Sequence, residues 1–141
     1  TPIAELKRLE AAFAAGADIA IGSRVLRDPS VSVTAQPHRV AAGRLFNWLV
    51  ARLGLWGIAD SQCGFTAFTA AAAQDRFPRV QTRGFGFDFE LLMLARARGY
   101  RIIEVPVTWA DQPGSKVGVL KDGPRMRLQI LRAAVRARRG R

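Results

Sequence analysis

An acid, an amide and a glycine stand together in the stretch Asp60-Ser61-Gln62-Cys63-Gly64-Phe65, between a helical pattern and a short alternating run. If a strand of an α/β sheet ends beside it, a carboxylate at this junction can line a ligand cleft. The glycine would let a ligand approach the backbone closely. An isolated aspartate between two elements more often caps a turn, so both interpretations of Asp60 stay open.

A second acidic group, Asp88 and Glu90, stands at the start of a predicted helix. Asp88 could be the N-cap of that helix, with Glu90 in the first turn complementing the helix dipole. A general base would show the same sequence pattern, but it would face a cleft and have a raised pKa. The sequence alone does not choose between these roles.

Two short segments combine glycine, serine and a cation: Gly22-Ser23-Arg24 and Gly114-Ser115-Lys116. Backbone amides, a hydroxyl and a positive charge at successive positions can bind phosphate, although a solvated turn has the same composition. The first segment ends a predicted strand, which favours a site there. Arg44 and Asn47, three residues apart on a predicted helix, share one face.

Hydrophobic periodicity predicts an α/β fold in which helices and strands alternate. Trp48 and Trp56 extend the apolar surface of the second long helix, and ordinary core packing is the favoured interpretation. Pro106 predicts an edge position or a bulge for the last strand. The predicted elements are a helix over 1–15, a strand over 17–22, a helix over 39–53, a strand over 65–69, a short helix over 70–75, a buried helix over 87–98, a strand over 101–109 and a basic helix from 125 onward.

Composition restricts the classes of partner. The 141 residues fit one domain, and a hydrophobic content of 49% argues against general disorder. The net charge of +11 indicates a partner that carries phosphate, such as nucleic acid, anionic lipid or a nucleotide sugar. With one cysteine and one histidine, an internal disulfide is excluded and a zinc site is not expected. No apolar run approaches the ~18 residues of a membrane span, so a soluble or peripheral protein is expected.

Seven arginines lie between positions 125 and 141. No helix-turn-helix, zinc-finger or RNA-recognition signature accompanies them, so we expect no nucleic-acid partner. A basic amphipathic helix suits an anionic membrane surface at least as well. The sequence leaves the oligomeric state open.

The order of motifs resembles family 2 glycosyltransferases, and the closest group is the dolichyl- or polyprenyl-phosphate glucosyl- and mannosyltransferases. The resemblance implies a GT-A, Rossmann-like fold of which this chain is the C-terminal half, with a short mixed sheet flanked by helices. Residues 1–111 would be the acceptor-side half of the domain, and 112–141 the acceptor-phosphate loop and a basic amphipathic helix. The matching motifs are Gly-Ser-Arg, Arg44-x-x-Asn47, Asp-Ser-Gln-Cys-Gly-Phe, Phe-Asp-Phe-Glu-Leu-Leu, Glu-Val-Pro-Val-Thr-Trp and Gly-Ser-Lys.

This family resemblance implies inverting transfer of a hexose, from a nucleotide sugar of the UDP-glucose or GDP-mannose type to a polyprenyl or dolichyl phosphate. The reaction would take place at the cytoplasmic membrane face, with Mg²⁺ or Mn²⁺ held by an Asp-x-Asp motif upstream of Thr1, outside this chain. Thr66 departs from the lysine that glucosyltransferase-like members tend to have. The implied roles are catalytic for Asp60 and Asp88, donor-side for Ser23 and Arg24, acceptor-phosphate binding for Arg44, Asn47, Ser115 and Lys116, and supporting for Gln62 and Glu90.

Two other functions fit the same residues. One is transfer to a sugar hydroxyl in polysaccharide or glycolipid synthesis, for which Asp88 would have to act as base. A lipid-phosphate acceptor differs in this respect: a phosphate monoester, with a second pKa of about 6, is already ionised and hardly needs a general base. The other is a non-catalytic basic module that docks on membranes or nucleic acid.

Overall fold

A computed structural model describes residues 1–34, 37–110, 128 and 130–136. The helices are α1 (Leu6–Ala14), α2 (Pro37–Val50, continued by a π-helical turn over Ala51–Leu55), α3 (Ala70–Arg76) and α4 (Phe87–Ala97). Residues 130–136 are also helical and are called the C-terminal helix below. The strands are β1 (Ile19–Ser23), β2 (Val33–Thr34), β3 (Thr66–Phe68), β4 (Ile102–Pro106) and β5 (Trp109–Ala110).

A mixed sheet in the order β3-β1-β4 lies at the centre of the fold. Strand β1 runs antiparallel to β3 and parallel to β4, with Ile21 opposite both Thr66 and Glu104. The predicted last strand divides in two: β4 ends at Pro106, at the edge of this sheet, and β5 pairs with β2 instead. The structure confirms an α/β fold with a short mixed sheet flanked by helices.

The two faces of β1 belong to different hydrophobic clusters because side chains alternate along a strand. Ile19 and Ile21 pack with the buried side of α4 and with Ile130 of the C-terminal helix. Ala20 faces the other way and packs with residues of α1, including Leu9. Helices therefore cover both faces of the sheet, and all five residues of β1 are buried.

Gly22 allows the chain to pass closely at the end of β1. Its amide donates to the Phe65 carbonyl at 2.8 Å. A Cβ at this position would lie 3.1 Å from that same oxygen and 3.1 Å from Cγ2 of Val107. A side chain here would push the segment before β3 away from β1, so glycine is required by packing.

The tryptophans of the second long helix are exposed, so the predicted core packing is wrong. The exposed fractions are 53% for Trp48 and 68% for Trp56. Phe46 and Val50, four residues apart, share the face of α2 that joins the core. Leu45 and Trp48, three apart, share a face turned to solvent, where Leu45 is 62% exposed. No helix within the described ranges is long and apolar enough to cross a membrane.

Candidate functional site

The Asp60 to Phe65 stretch lies at the carboxyl edge of the sheet. Strands β1 and β4 are parallel, so their last residues, Ser23 and Pro106, meet at this edge. Strand β3 is antiparallel to β1, so it begins here with Thr66. Ligands of α/β folds bind beyond the carboxyl ends of parallel strands. The chain thus places its most specific motif where such folds bind ligands.

Arg24 and Asp60 form a bidentate ion pair at this edge. The Arg24 Nε atom lies 2.7 Å from Oδ2 of Asp60, and Nη2 lies 2.8 Å from Oδ1. The Arg24 backbone amide adds a third bond to Oδ2 at 3.0 Å. The side chain of Asp60 is 1% exposed and that of Arg24 is 31% exposed. Hydrogen bonding to Asp60 raises the pKa of the Arg24 guanidinium, so the guanidinium stays charged.

Glu104 of β4 holds the backbone on which Asp60 stands. Its Oε2 accepts the amide of Ala59 at 2.7 Å and its Oε1 accepts the amide of Asp60 at 2.8 Å. From α2, the Asn47 amide nitrogen donates to the carbonyl of Ala59 at 2.6 Å. Sequence reasoning did not single out Glu104. The available signal was a lone carboxylate inside an otherwise apolar strand, Ile-Ile-Glu-Val-Pro.

Ser23 and Gln62, predicted as donor-side and supporting residues, form local hydrogen bonds next to the Arg24–Asp60 pair. Ser23 is fully buried, and its Oγ accepts the amides of Val25 at 3.4 Å and Leu26 at 3.3 Å. The hydroxyl thereby forms the turn that follows β1 and directs Arg24 toward Asp60. Gln62 is half-buried; its backbone amide points at Oδ1 of Asp60 at 3.4 Å.

Of the four predicted acceptor-phosphate residues, Arg44 and Asn47 lie in the part of the chain that the structure describes. Asn47 is turned inward to Ala59, whereas Arg44 is exposed on α2. Ser115 and Lys116 lie outside the described residues. Their phosphate-binding role stays a prediction.

Asp88 lies inside the first turn of α4, and Gly86 occupies the N-cap. Within the described ranges no donor forms a hydrogen bond to the Asp88 carboxylate, so the capping role is not supported. Burial raises the pKa of this half-buried side chain. Helix α4 precedes β4 in the chain, and Gly99 lies in the turn between them.

Glu90 is fully buried and forms a second polar cluster. It accepts the amides of Gln81 at 3.2 Å and Thr82 at 2.6 Å, and the Nε of Arg136 at 2.7 Å. Arg136 Nη2 also donates to Oγ1 of Thr82 at 2.8 Å. Burial by itself raises the pKa of Glu90, but the bonds from Arg136 and Thr82 lower it overall. At least one arginine of the basic tail therefore points into the protein.

Metal ligands were expected outside this chain. Across the described ranges, no group of three or more His, Cys, Asp or Glu side chains could hold a metal ion. Asp60 does not fit such a role, because Arg24 engages both of its oxygens.

Comparison with known proteins supports the resemblance inferred from the motifs. Over 125 residues, 86% of its length, the chain is 34% identical to a dolichyl-phosphate β-glucosyltransferase of Trichomonas vaginalis. Over 91 residues, 63% of its length, it is 40% identical to the dolichyl-phosphate β-glucosyltransferase of Saccharomyces cerevisiae. The chain is homologous to part of these enzymes. It is also 34% identical over 116 residues, 82% of its length, to the glycosyltransferase AglD of Haloferax volcanii.

The similarity covers only a fraction of each relative. The chain spans 36% of the Trichomonas enzyme, 27% of the yeast enzyme and 18% of the Haloferax protein. No protein-family model matches the chain. No solved structure matches it either.

Proposed function

We propose that the full-length protein transfers glucose from a nucleotide sugar to dolichyl phosphate or a related polyprenyl phosphate. The observation that carries this proposal is the identity of 34–40% to proteins named dolichyl-phosphate β-glucosyltransferases. The same similarity favours an enzyme over a non-catalytic basic module. Because the chain spans about a third of such a relative, we propose that it supplies the acceptor side, with the metal-binding motif elsewhere.

In this proposal Arg24 contacts the phosphates of the donor, and Asp60 orients Arg24. Asp60 uses the Nε and Nη2 edge of the guanidinium, which leaves Nη1 for a ligand at the carboxyl edge. The leaving nucleotide diphosphate gains negative charge as the sugar departs, so a fixed cation lowers the barrier. Asp60 is too buried to touch the sugar while the pair is closed. Its contribution therefore runs through Arg24.

On the acceptor side we propose that Arg44, with Ser115 and Lys116, neutralises the lipid phosphate. The phosphate is itself the nucleophile, so these residues position it rather than deprotonate it. Arg44 is exposed on α2 and can meet an acceptor that arrives at the protein surface. We place the reaction at the cytoplasmic membrane face, where a lipid acceptor is accessible.

The test is a transfer assay on the full-length protein with dolichyl phosphate and either UDP-glucose or GDP-mannose. We expect glucosyl dolichyl phosphate from UDP-glucose and little product from GDP-mannose. Mannose transfer alone would shift the proposal to a mannosyltransferase. No lipid-linked product from either donor would refute it.

Asp88 gives the rival function, transfer to a sugar hydroxyl, a specific observation in its favour. A base needs an unpaired carboxylate with a raised pKa, and Asp88 has both within the described structure. With dolichyl phosphate as acceptor, we expect Asp88→Asn to keep at least about a tenth of the transfer rate. Loss of roughly 10²-fold or more would instead identify Asp88 as a base and favour a hydroxyl acceptor.

Asp88→Asn should also change the free energy of unfolding in a way that depends on pH. A pKa raised in the folded state means that ionised Asp88 destabilises the fold at neutral pH, and that this cost vanishes once the group is protonated in both states. We therefore expect Asp88→Asn to raise the free energy of unfolding at pH 7. The gain should disappear below the ordinary aspartate pKa. Urea unfolding at the two pH values checks the sign.

We use the name tryptophan surface for the exposed side chains of Leu45, Trp48, Arg52 and Trp56 together with the half-buried Arg96. The Arg52 guanidinium lies 5.1 Å from the Trp48 ring centroid, and that of Arg96 lies 4.2 Å from the Trp56 ring centroid. Indole rings with adjacent cations suit the boundary between lipid headgroups and acyl chains. We propose that this surface contacts anionic lipid.

Substituting both tryptophans tests that contact. We expect Trp48→Ser with Trp56→Ser to weaken binding of the full-length protein to phosphatidylserine vesicles by about ten-fold or more, since burying one large side chain contributes about 1.5–3 kcal/mol. Vesicle flotation at low and moderate salt measures the change. Ile3→Ser, which removes an exposed apolar side chain from another part of the chain, is the control. Equal binding of the double variant and wild type would contradict the proposal.

A further inference from the structure

Glu104 joins the sheet to the motif at its carboxyl edge. It stands on β4 opposite Ile21 of β1, in the central part of the strand pairing. From there its two carboxylate oxygens accept the successive amides of Ala59 and Asp60, at 2.7 and 2.8 Å. These contacts tie the strand to residues more than forty positions earlier in the chain.

Asn47 of α2 fixes the same segment of backbone. Its amide donates to the Ala59 carbonyl at 2.6 Å, so α2 and β4 both hold this segment. With its backbone fixed, Asp60 presents both carboxylate oxygens to Arg24. The hydrogen bonds thus connect Glu104 through Asp60 to Arg24.

We propose that Glu104 is a positioning residue: it fixes the backbone at Ala59 and Asp60 and thereby sets the direction of the Arg24 guanidinium. The consequence for sugar transfer rests on the proposed function. The consequence for the Arg24–Asp60 geometry does not. Asn47 supports the same arrangement from α2.

The two amide contacts explain why the side chain is a glutamate. A carboxylate offers an acceptor oxygen to each N–H at once, and hydrogen bonds to a charged acceptor are strong. In Glu104→Gln one oxygen becomes an NH₂ group that faces a backbone N–H, so one bond is replaced by a donor–donor contact. Glu104→Asp keeps the charge but is one methylene too short to hold both amides. The two variants disturb the paired hydrogen bonds in different ways, Glu104→Gln with loss of the charge and Glu104→Asp without it.

The experiment compares Glu104→Gln and Glu104→Asp with wild type in the full-length protein. We expect hydrogen exchange of the Ala59 and Asp60 amides and of the Arg24 Nε–H to become about ten-fold faster or more in both variants. The transfer rate kcat should fall by about ten-fold, with the KM for dolichyl phosphate within about two-fold of wild type. Glu10→Gln, an exposed glutamate of α1, is the matched control and should change none of these values.

Unchanged exchange at Asp60 and at the Arg24 Nε–H would overturn the proposal. Faster exchange at the two amides with an unchanged Arg24 Nε–H and unchanged kcat would also overturn it, because Glu104 would then support only local stability. If wild-type protein transfers no sugar, the proposed function fails. The Arg24 Nε–H exchange rate still decides whether Glu104 positions that side chain.

Discussion

Replacing Arg24 by methionine is expected to lower the free energy of unfolding by about 3 kcal/mol, because it leaves Asp60 as an unpaired buried carboxylate. Sugar transfer is expected to fall by about 10²-fold or more, since a fixed cation at the donor phosphates is lost. Methionine keeps most of the apolar volume of the arginine stem, so the loss reports the charge and its hydrogen bonds. Urea unfolding and the transfer assay measure the two effects.

Asp60→Asn completes a double-mutant cycle with Arg24→Met. The single substitutions should each destabilise the protein, and the double variant should lose less than their sum because no unpaired charge remains. Arg27→Met is the matched control, as Arg27 is an exposed arginine three residues further on. Additive losses in the cycle, or an equal loss in the control, would show that the ion pair does not contribute as proposed.

Arg136→Met is the second substitution for which we expect a large loss of stability. It would leave the fully buried Glu90 carboxylate with only the amides of Gln81 and Thr82. Because the Arg136 side chain is 31% exposed, the cost should be below that of a fully buried pair, at about 2–3 kcal/mol. Since Arg136 anchors the C-terminal helix, that helix should exchange its amides faster in the variant.

The contribution of the Glu90–Arg136 pair to the free energy of unfolding should depend on pH in a defined direction. The pKa of Glu90 is lowered in the folded protein, so its stabilising contribution is present above the ordinary glutamate pKa and is lost as pH falls through the folded value. Wild type and Arg136→Met should therefore differ in unfolding free energy at pH 7 and converge in acid. Arg132→Met, at an exposed position of the same helix, should match wild type at both pH values. A difference that persists unchanged in acid would contradict the ionic explanation.

Local sequence patterns predicted a helix or strand well where one feature, such as a continuous apolar run or a terminal glycine, was dominant. The run from Phe89 to Ala95 is apolar almost all round, and α4 is indeed buried there. Gly99 ends the helix with a φ of +86°, a conformation that suits glycine. Periodicity failed for Trp48, because a helical repeat identifies faces but does not tell which of them a neighbouring element will cover.

The site was predictable only as far as its local motifs. The acid, amide and glycine around Asp60 marked a motif that lies at the carboxyl edge of the sheet, and Arg24 was singled out at the end of its strand. Their pairing joins side chains 36 positions apart, which no local spacing predicts. Glu104 was missed for the same reason, and Glu90 was interpreted through the helix dipole because its partner Arg136 lies 46 positions away.

The position of β1 between β3 and β4 has a consequence for how the chain folds during synthesis. Ile19 pairs with Phe68 on one side and with Ile102 on the other, so the strand is made long before either neighbour exists. At translation rates of about 5–20 residues per second, its second edge stays open for several seconds. Such non-local pairing is slow to form, and an open apolar strand edge attracts other chains. The interval before β4 emerges is therefore the stage at which this protein is most exposed to aggregation and has most to gain from a chaperone.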